Sequence, residues 1–164
     1  MKADSIRTAT ADDAAGIAAI YNYYVSHTIV TFEETPIADA EMAQRIARIG
    51  AEYPWLVFER GGAVVAYAYA ARFHARSAYR FTAETAIYAA HGARGSGIGT
   101  QLYRQLLDRL RERGLHCALG GIALPNEASV RLHEKCGFVK VTHYREVGWK
   151  LDRWIDVGYW QLLL

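Results

Sequence analysis

Residues 81–90 read FTAETAIYAA, a run of small, β-branched and aromatic side chains that carries one charge, Glu84. A lone carboxylate in such a strand is a candidate general base, provided burial or a water relay strengthens what is otherwise a weak base. The chain continues HGARGSGIG over 91–99, where four glycines (Gly92, Gly95, Gly97, Gly99) fall within eight residues. It then reads TQLYRQLLDRLRERG, with apolar side chains at Ile98, Leu102, Tyr103, Leu106, Leu107 and Leu110. That spacing predicts an amphipathic helix, and Gly114 stands where a C-cap glycine belongs. Strand, glycine loop and helix in this order bring bare backbone N–H groups to the positive end of a helix, which suits a bound phosphate.

Two common phosphate loops do not fit. A Walker loop ends in Gly-Lys-Ser/Thr, and no lysine occurs between Lys2 and Lys135. A dinucleotide fingerprint needs G-x-G-x-x-G and an acid about 20 positions on, whereas the glycines here run G-x-G-x-G and the next apolar run, HCALGGIAL, has no acid. The pattern Arg94-x-x-Gly97-x-Gly99 ahead of a helix resembles instead the pyrophosphate loop of the GNAT superfamily of N-acetyltransferases, which hold acetyl-coenzyme A. Taken alone, the loop is better read as a glycine-rich turn serving chain geometry. A second stretch, Asn126-Glu-Ala-Ser129-Val-Arg-Leu132-His133-Glu-Lys-Cys-Gly137-Phe138, resembles the superfamily's other signature, N-x-x-S-x-x-L-[YH]-x-x-x-G-F. Likeness at residues 53–57, 66–70, 82–84, 124–134 and 153–162 narrows this to the branch acting on phosphinothricin and on methionine sulfoximine or sulfone. The likeness covers nearly the whole chain.

The resemblance implies a three-layer α/β/α acyl-CoA N-acyltransferase fold with a mixed, centrally splayed sheet, in one N-acetyltransferase domain over residues 1–164. It implies acetyl transfer from acetyl-CoA to an α-amine, with Glu84 as general base and a backbone N–H on the splayed strand near Ile87, Tyr88 and Ala89 receiving the thioester oxygen. Arg94, Gly95, Ser96, Gly97, Ile98, Gly99 and Thr100 would hold the pyrophosphate. Asn126 would hold the pantetheine arm or act as a helix N-cap. His133 occupies the position where many relatives carry a proton-donating tyrosine, so its imidazole is either an acid–base group or a positioning residue.

Substrate contacts implied in the same way are Arg76 and Tyr79, with Phe32, His74, Ala83, Glu84 and Val157 beside them. An amino-acid carboxylate wants a fork of donors, and the segment 71–80 is basic. Phe73 stands where the family usually has tryptophan, and His74 where a permanent cation is common. These departures bear on which amino acid is preferred. An acetyltransferase for another amine, such as a protein N-terminus or a polyamine, and a non-catalytic coenzyme A-binding module are the alternative readings.

The elements that must position these residues follow from periodicity. Ser5–Ala9 reads as a strand, and Thr10 as the cap of a helix over 11–24 with Asp12 and Asp13 in its first turn. Asp39 is expected to cap a second helix through Ile49. Strands 55–59 and 63–71 join at Gly61-Gly62, a hairpin signal. Beyond the glycine-loop helix come a strand at 116–124, a short helix to Lys135, and a closing antiparallel pair, 138–147 and 154–163, across 148–153. A chain of 164 residues, 52% hydrophobic, is expected to bury one substantial core. The net charge of +2 argues for no nucleic-acid partner, and no apolar run suggests a membrane span. Two cysteines without a C-x-x-C, and no signal-like N-terminus, suggest reduced thiols and a cytoplasmic protein. Six scattered histidines suggest no metal. Resemblance adds a homodimer, to which the aromatic C-terminal strand (Trp154, Tyr159, Trp160) would contribute.

Overall fold

A computed structural model of the protein describes residues 3–164; the first two residues of the expected 1–164 domain lie outside it. One seven-stranded sheet, in the order β1-β2-β3-β4-β5-β7-β6, runs through the middle. Its strands are β1 (Ser5–Thr8), β2 (Trp55–Arg60), β3 (Ala63–Arg72), β4 (Thr82–Ala89), β5 (Cys117–Leu124), β6 (Val139–Lys150) and β7 (Arg153–Leu163). All neighbours are antiparallel except β4 and β5. A parallel pair needs a crossover, and α3 (Ile98–Glu112) supplies it. Helices α1 (Ala14–His27) and α2 (Asp39–Gly50) cover one face; α3 and α4 (Glu127–Lys135) cover the other.

The helix stripes are legible as cause. Leu102, Tyr103, Leu106, Leu107 and Leu110 of α3 are all buried against Ala66, Ala68, Ala70 and Ala83 of the sheet. Burying each leucine stabilises the fold by roughly 1.5–3 kcal/mol, and the small sheet residues let the helix approach closely. On the opposite face Ile17, Tyr21, Tyr24 and Val25 of α1 pack with Met42 and Ile46 of α2 against Trp55, Val57 and Tyr67. Among the described residues, no helix is long and apolar enough to cross a membrane.

Several details differ from the sequence reading. Residues 11–13 form a 3-10 turn before α1, because the Asp13 carboxylate folds back to accept from Thr10 N–H at 2.8 Å. Ala38, not Asp39, stands at the N-cap of α2. β6 extends to Lys150, so the expected loop over 148–153 shrinks to a two-residue turn, Leu151-Asp152, both at positive φ. Within the aromatic C-terminal strand, only Trp154 faces outward. Trp160 is buried in the α3-side core, and Tyr159 turns toward the cleft described below.

Asp13 also ties β1 to β2 through a shared cation. The Arg7 guanidinium bonds both Asp13 oxygens, at 2.8 and 2.7 Å, and reaches Glu59 at 2.9 Å. These bonds, chiefly the one from Arg7, hold the Asp13 carboxyl below its ordinary range. A carboxylate lowered in the folded state adds stability that is present above the unfolded pKa, near 4, and is lost as pH falls through the folded one. Asp13→Asn is expected to lower stability by about 1–3 kcal/mol at pH 7, the half-exposed Arg7 keeping the loss modest. Urea midpoints of variant and wild type should converge as pH is lowered from 5 toward 2; a gap independent of pH would contradict the assignment.

Candidate active site

β4 and β5 pair only at Thr82↔Cys117, Ala83↔Ala118 and Glu84↔Leu119. Beyond that point they part. β4 keeps its ladder to β3 as far as Ala66↔Ala89, and β5 keeps its ladder to β7 as far as Leu124↔Asp156. Glu84 therefore stands at the crotch of a fork in the sheet. The turn of the backbone along β4 follows from Ala90 N–H, which donates to Val65 O at 2.8 Å. Peptide groups alternate along a strand, so Ala86 and Tyr88 direct theirs to β3, while Ile87 and Ala89 direct theirs into the gap.

Side chains alternate as well. Thr85 bonds Tyr103 of α3, whereas Tyr88 packs edge-on against Tyr21 and Tyr24 of α1. Glu84 accordingly projects on the α1 face, into a cleft of ≈ 400 Å³ whose walls include Val30, Phe32, Tyr144, Val157 and Tyr159. The Tyr159 hydroxyl donates to Glu84 Oε1 at 3.2 Å. Burial, and then the Glu84 charge, push that hydroxyl up to about 12, so it remains a donor throughout the neutral range. Tyr69 of β3, also pushed up to about 12 by burial and by Glu84, flanks the carboxylate from the other direction.

At the open end of the fork lies the glycine loop. Gly95 and Gly97 have φ of +76° and +80°, a region that β-carbons disfavour, and a methyl group on either would meet nothing within 4 Å. The loop thus fronts open space. No side chain caps α3, so its first N–H groups remain for a ligand. Ser96 Oγ fastens the loop by donating to Ala93 O at 2.7 Å, and the Arg94 guanidinium lies 5.2 Å from the Tyr24 ring. Ile98 is buried in the core, leaving only its main chain on this surface, and Thr100 is half-buried in the first turn of α3. Bare amides, a helix N-terminus and one arginine suit a diphosphate.

Of the residues expected to touch the substrate, the structure brings Phe32, Glu84 and Val157 to one cleft. It does not bring Ala83, which is fully buried in the α3-side core because it neighbours Glu84 on the opposite face. Nor do His74, Arg76 and Tyr79 line the cleft. They lie on the exposed loop between β3 and β4, where the rings of Phe73, His74 and Tyr79 pack on one another. Tyr88 offers no main-chain group to the gap, its peptide being turned to β3, and Ala89 O already accepts from the Tyr24 hydroxyl at 2.6 Å. Ile87 keeps its peptide edge toward the gap. Asn126 is the N-cap of α4, its Oδ1 accepting from Ser129 N–H at 3.2 Å. It also lines a shallow cleft with Pro125, Val130 and Trp154.

Of the two roles left open for His133, its surroundings favour positioning. It lies on the α3 side of the sheet, 4% exposed, across the sheet from the Glu84 carboxylate. Its Nδ1 lies 2.8 Å from Ser129 O and its Nε2 2.9 Å from the Tyr103 hydroxyl, so neither nitrogen is left for a substrate. With the imidazole neutral, Nδ1–H donates to Ser129 O and Nε2 accepts from Tyr103. Thr85 Oγ1, 2.6 Å from Tyr103 and 3.0 Å from Leu119 O, completes the chain. Gly120 makes room for it, since a β-carbon there would fall 2.4 Å from His133 Nε2. Sequence reasoning missed Tyr159 and Tyr103. The first was legible in principle, for a period of two from Val157 puts Tyr159 on the same face.

The chain matches the family model described as "Acetyltransferase (GNAT) domain" over residues 6–158. It is 39% identical over 156 residues to the phosphinothricin N-acetyltransferase of Streptomyces viridochromogenes, covering 95% of this chain and 85% of the relative. It is 35% identical over 161 residues to the L-methionine sulfoximine/L-methionine sulfone acetyltransferase of Salmonella typhimurium, covering 98% and 94%. Its structure resembles the crystal structure of a GNAT superfamily phosphinothricin acetyltransferase from Sinorhizobium meliloti in complex with acetyl-CoA, with TM-score 0.95 and 37% identity, covering 99% and 89%.

Burial holds the His133 imidazole below its ordinary value near 6.5. The unfolded chain takes up a proton there that the folded site refuses, so this residue's contribution to stability declines as pH drops below about 6.5. In a histidine NMR titration, the His133 ring signals should titrate with a midpoint below that of an exposed histidine, and a titration centred at the ordinary value would contradict the burial.

Proposed function

This chain belongs to the GNAT acetyltransferase family, and from that premise we propose that it moves acetyl from acetyl-CoA directly onto the α-amine of a small amino-acid-like substrate of the phosphinothricin, methionine sulfoximine or methionine sulfone type. The observation that carries this reading is the position of Glu84. Its carboxylate sits where β4 and β5 separate, between an apolar-walled cleft and a gap that leads to the glycine loop. The names of the relatives supply the acceptor class.

Acetyl-CoA, when bound, supplies the activated acyl group as a thioester. The loop from Gly95 to Thr100 and the N-terminus of α3 would hold its diphosphate, with Arg94 beside them. Asn126, its amide nitrogen free of its capping duty, would meet the pantetheine arm. Ile87 presents its peptide edge to the gap, and its N–H is the donor placed to receive the thioester oxygen as negative charge develops. An alkylammonium is no nucleophile, so the amine must first lose a proton. Glu84, directly or through water, takes it; the free amine would then bond the acetyl carbon as the C–S bond breaks, and coenzyme A would leave as its thiolate, to be protonated by solvent. Tyr159 orients the carboxylate by donating to Oε1 and leaves Oε2 for the amine. Phe32, Val30 and Val157 exclude water from the acceptor.

A non-catalytic coenzyme A-binding module would have no use for a carboxylate at the fork, and an acidic polyamine site is not matched by the walls of this cleft. We place the protein in the cytoplasm, as one acetyltransferase domain, and as a homodimer. The support for the last is the edge hairpin of β6 and β7, where the rings of Trp149 and Trp154, each half exposed or more, pack on one another on the α4 side of the sheet. An exposed tryptophan pair at a sheet edge is a surface that a second copy would cover.

An amine panel of phosphinothricin, methionine sulfoximine, methionine sulfone, ordinary amino acids and spermidine, read by thiol release from acetyl-CoA, tests the acceptor class. Turnover confined to spermidine would sink it. Glu84→Gln should lower kcat by roughly 10²–10⁴-fold with acetyl-CoA affinity by calorimetry unchanged, and an unaltered kcat would remove the base assignment. In sedimentation, the wild type should run as a dimer and Trp154→Glu as a folded monomer; a wild type that is monomeric at every concentration contradicts the assembly.

A further inference from the structure

The segment 28–38 between α1 and α2 carries Val30 and Phe32 to the cleft without regular secondary structure of its own. Something outside it must hold it. Lys150, at the end of β6, is 3% exposed, and its ammonium donates to Thr31 O at 2.7 Å and to Tyr24 O at 3.4 Å. Tyr24 O is one of the last carbonyls of α1, where the helix dipole favours a cation. A buried ammonium is costly unless it is satisfied, and these carbonyls satisfy it. Two residues earlier, the Phe32 ring rests on the main chain of Gly148, where an added β-carbon would fall 2.3 Å from Phe32 Cζ. The same strand bulges between Tyr144 and Gly148, and Tyr144 and Val147 of that bulge form the facing wall of the cleft.

We infer that Lys150 and Gly148 act as a latch that holds Phe32 down on β6 and so sets the width of the acceptor cleft. Both are positioning residues, acting through Phe32. The inference rests on the reading of this cleft as the acceptor site. Lys150 grips the peptide next to Phe32, and the missing side chain at position 148 gives the ring its seat. Loss of either lets the wall shift while Glu84, Tyr159 and the glycine loop stay where they are.

The test compares wild type with Lys150→Met, Gly148→Ala, Phe32→Leu and the double variant Phe32→Leu/Gly148→Ala, using the best acceptor of the panel. Lys150→Met and Gly148→Ala should each raise acceptor KM about tenfold, with kcat and acetyl-CoA KM within about twofold. Amide hydrogen exchange should quicken across 28–37 and not in β3 or β4. On the Phe32→Leu background, Gly148→Ala should add less than about twofold, because the ring it displaces is gone. Unchanged acceptor KM in both single variants overturns the inference, as does a Gly148→Ala effect that persists in full without the Phe32 ring. If Lys150→Met does not fold, the Gly148 cycle decides alone. If the wild type acetylates no amine, the acceptor reading falls, and unchanged exchange at 28–37 in both single variants overturns the latch on its own.

Discussion

From Ile87 to Ala89, β4 has a hydrogen-bonded neighbour on one side only, because β5 leaves it after Glu84↔Leu119. Peptide groups left unpaired inside a sheet cost free energy, and a structure keeps them only where the surroundings enforce the geometry. Here the enforcement comes from the two flanking ladders, each continuous to its end, and from helices packed on both faces. What the gap provides is a break in the middle of the sheet, which under the proposed function is the passage for the pantetheine arm. Its edge of N–H and C=O groups is the kind of surface an extended ligand can pair with. The site residues are arranged with respect to that passage.

The crotch of the fork is also where the two faces divide their work. Glu84 and Thr85 are adjacent in sequence and project to opposite sides. Below, the single hydroxyl proton of Thr85 is shared between Leu119 O at 3.0 Å, across the point where main-chain pairing stops, and the Tyr103 oxygen at 2.6 Å, while Tyr103 donates to His133. This side-chain chain stands in for the ladder bond that the fork lacks. All three residues are buried, and a satisfied polar network at that depth fixes one arrangement, since any displacement strands a donor. Above, Glu84 accepts from Tyr159, is flanked by Tyr69 and faces an open cleft. Rigidity on the α3 side and accessibility on the α1 side thus come from neighbouring residues of one strand.

Much of this was legible in the sequence. The α3 stripe, the glycine loop, Gly114 as terminator and the charge-poor strand around Glu84 are local patterns, and local patterns survive folding. The failures are long-range. Ala83 adjoins a site residue in sequence but faces the other way, and only the strand's phase, which the α3 contacts fix, reveals it. Sequence alone left His133 open between an acid–base and a positioning role. Its burial depends on Gly120 and Phe138 arriving from other elements. The turn at Leu151-Asp152 carries no glycine or asparagine, the residues that normally announce two successive positive φ values, so β6 was ended too early. With it went any sight of Lys150.

The layout also bears on how an acyl group would travel. A relay through cysteine needs a thiolate in the passage, and thiolates form where the surroundings lower the thiol's pKa. Cys136 lies at the end of α4, where burial pushes its thiol up, the opposite of activation. Cys117 is buried at the closed end of the fork, beside Gln161 Nε2 at 3.2 Å, and does not line the cleft. Neither sulfur stands between the glycine loop and Glu84. The carboxylate does, at the point where the passage meets the cleft, and it carries a hydrogen bond to one oxygen only. A group so placed can take a proton from an incoming amine while the peptide edge of Ile87 meets the acyl oxygen, with no covalent stop on the protein. Direct transfer is therefore the route that these side chains support.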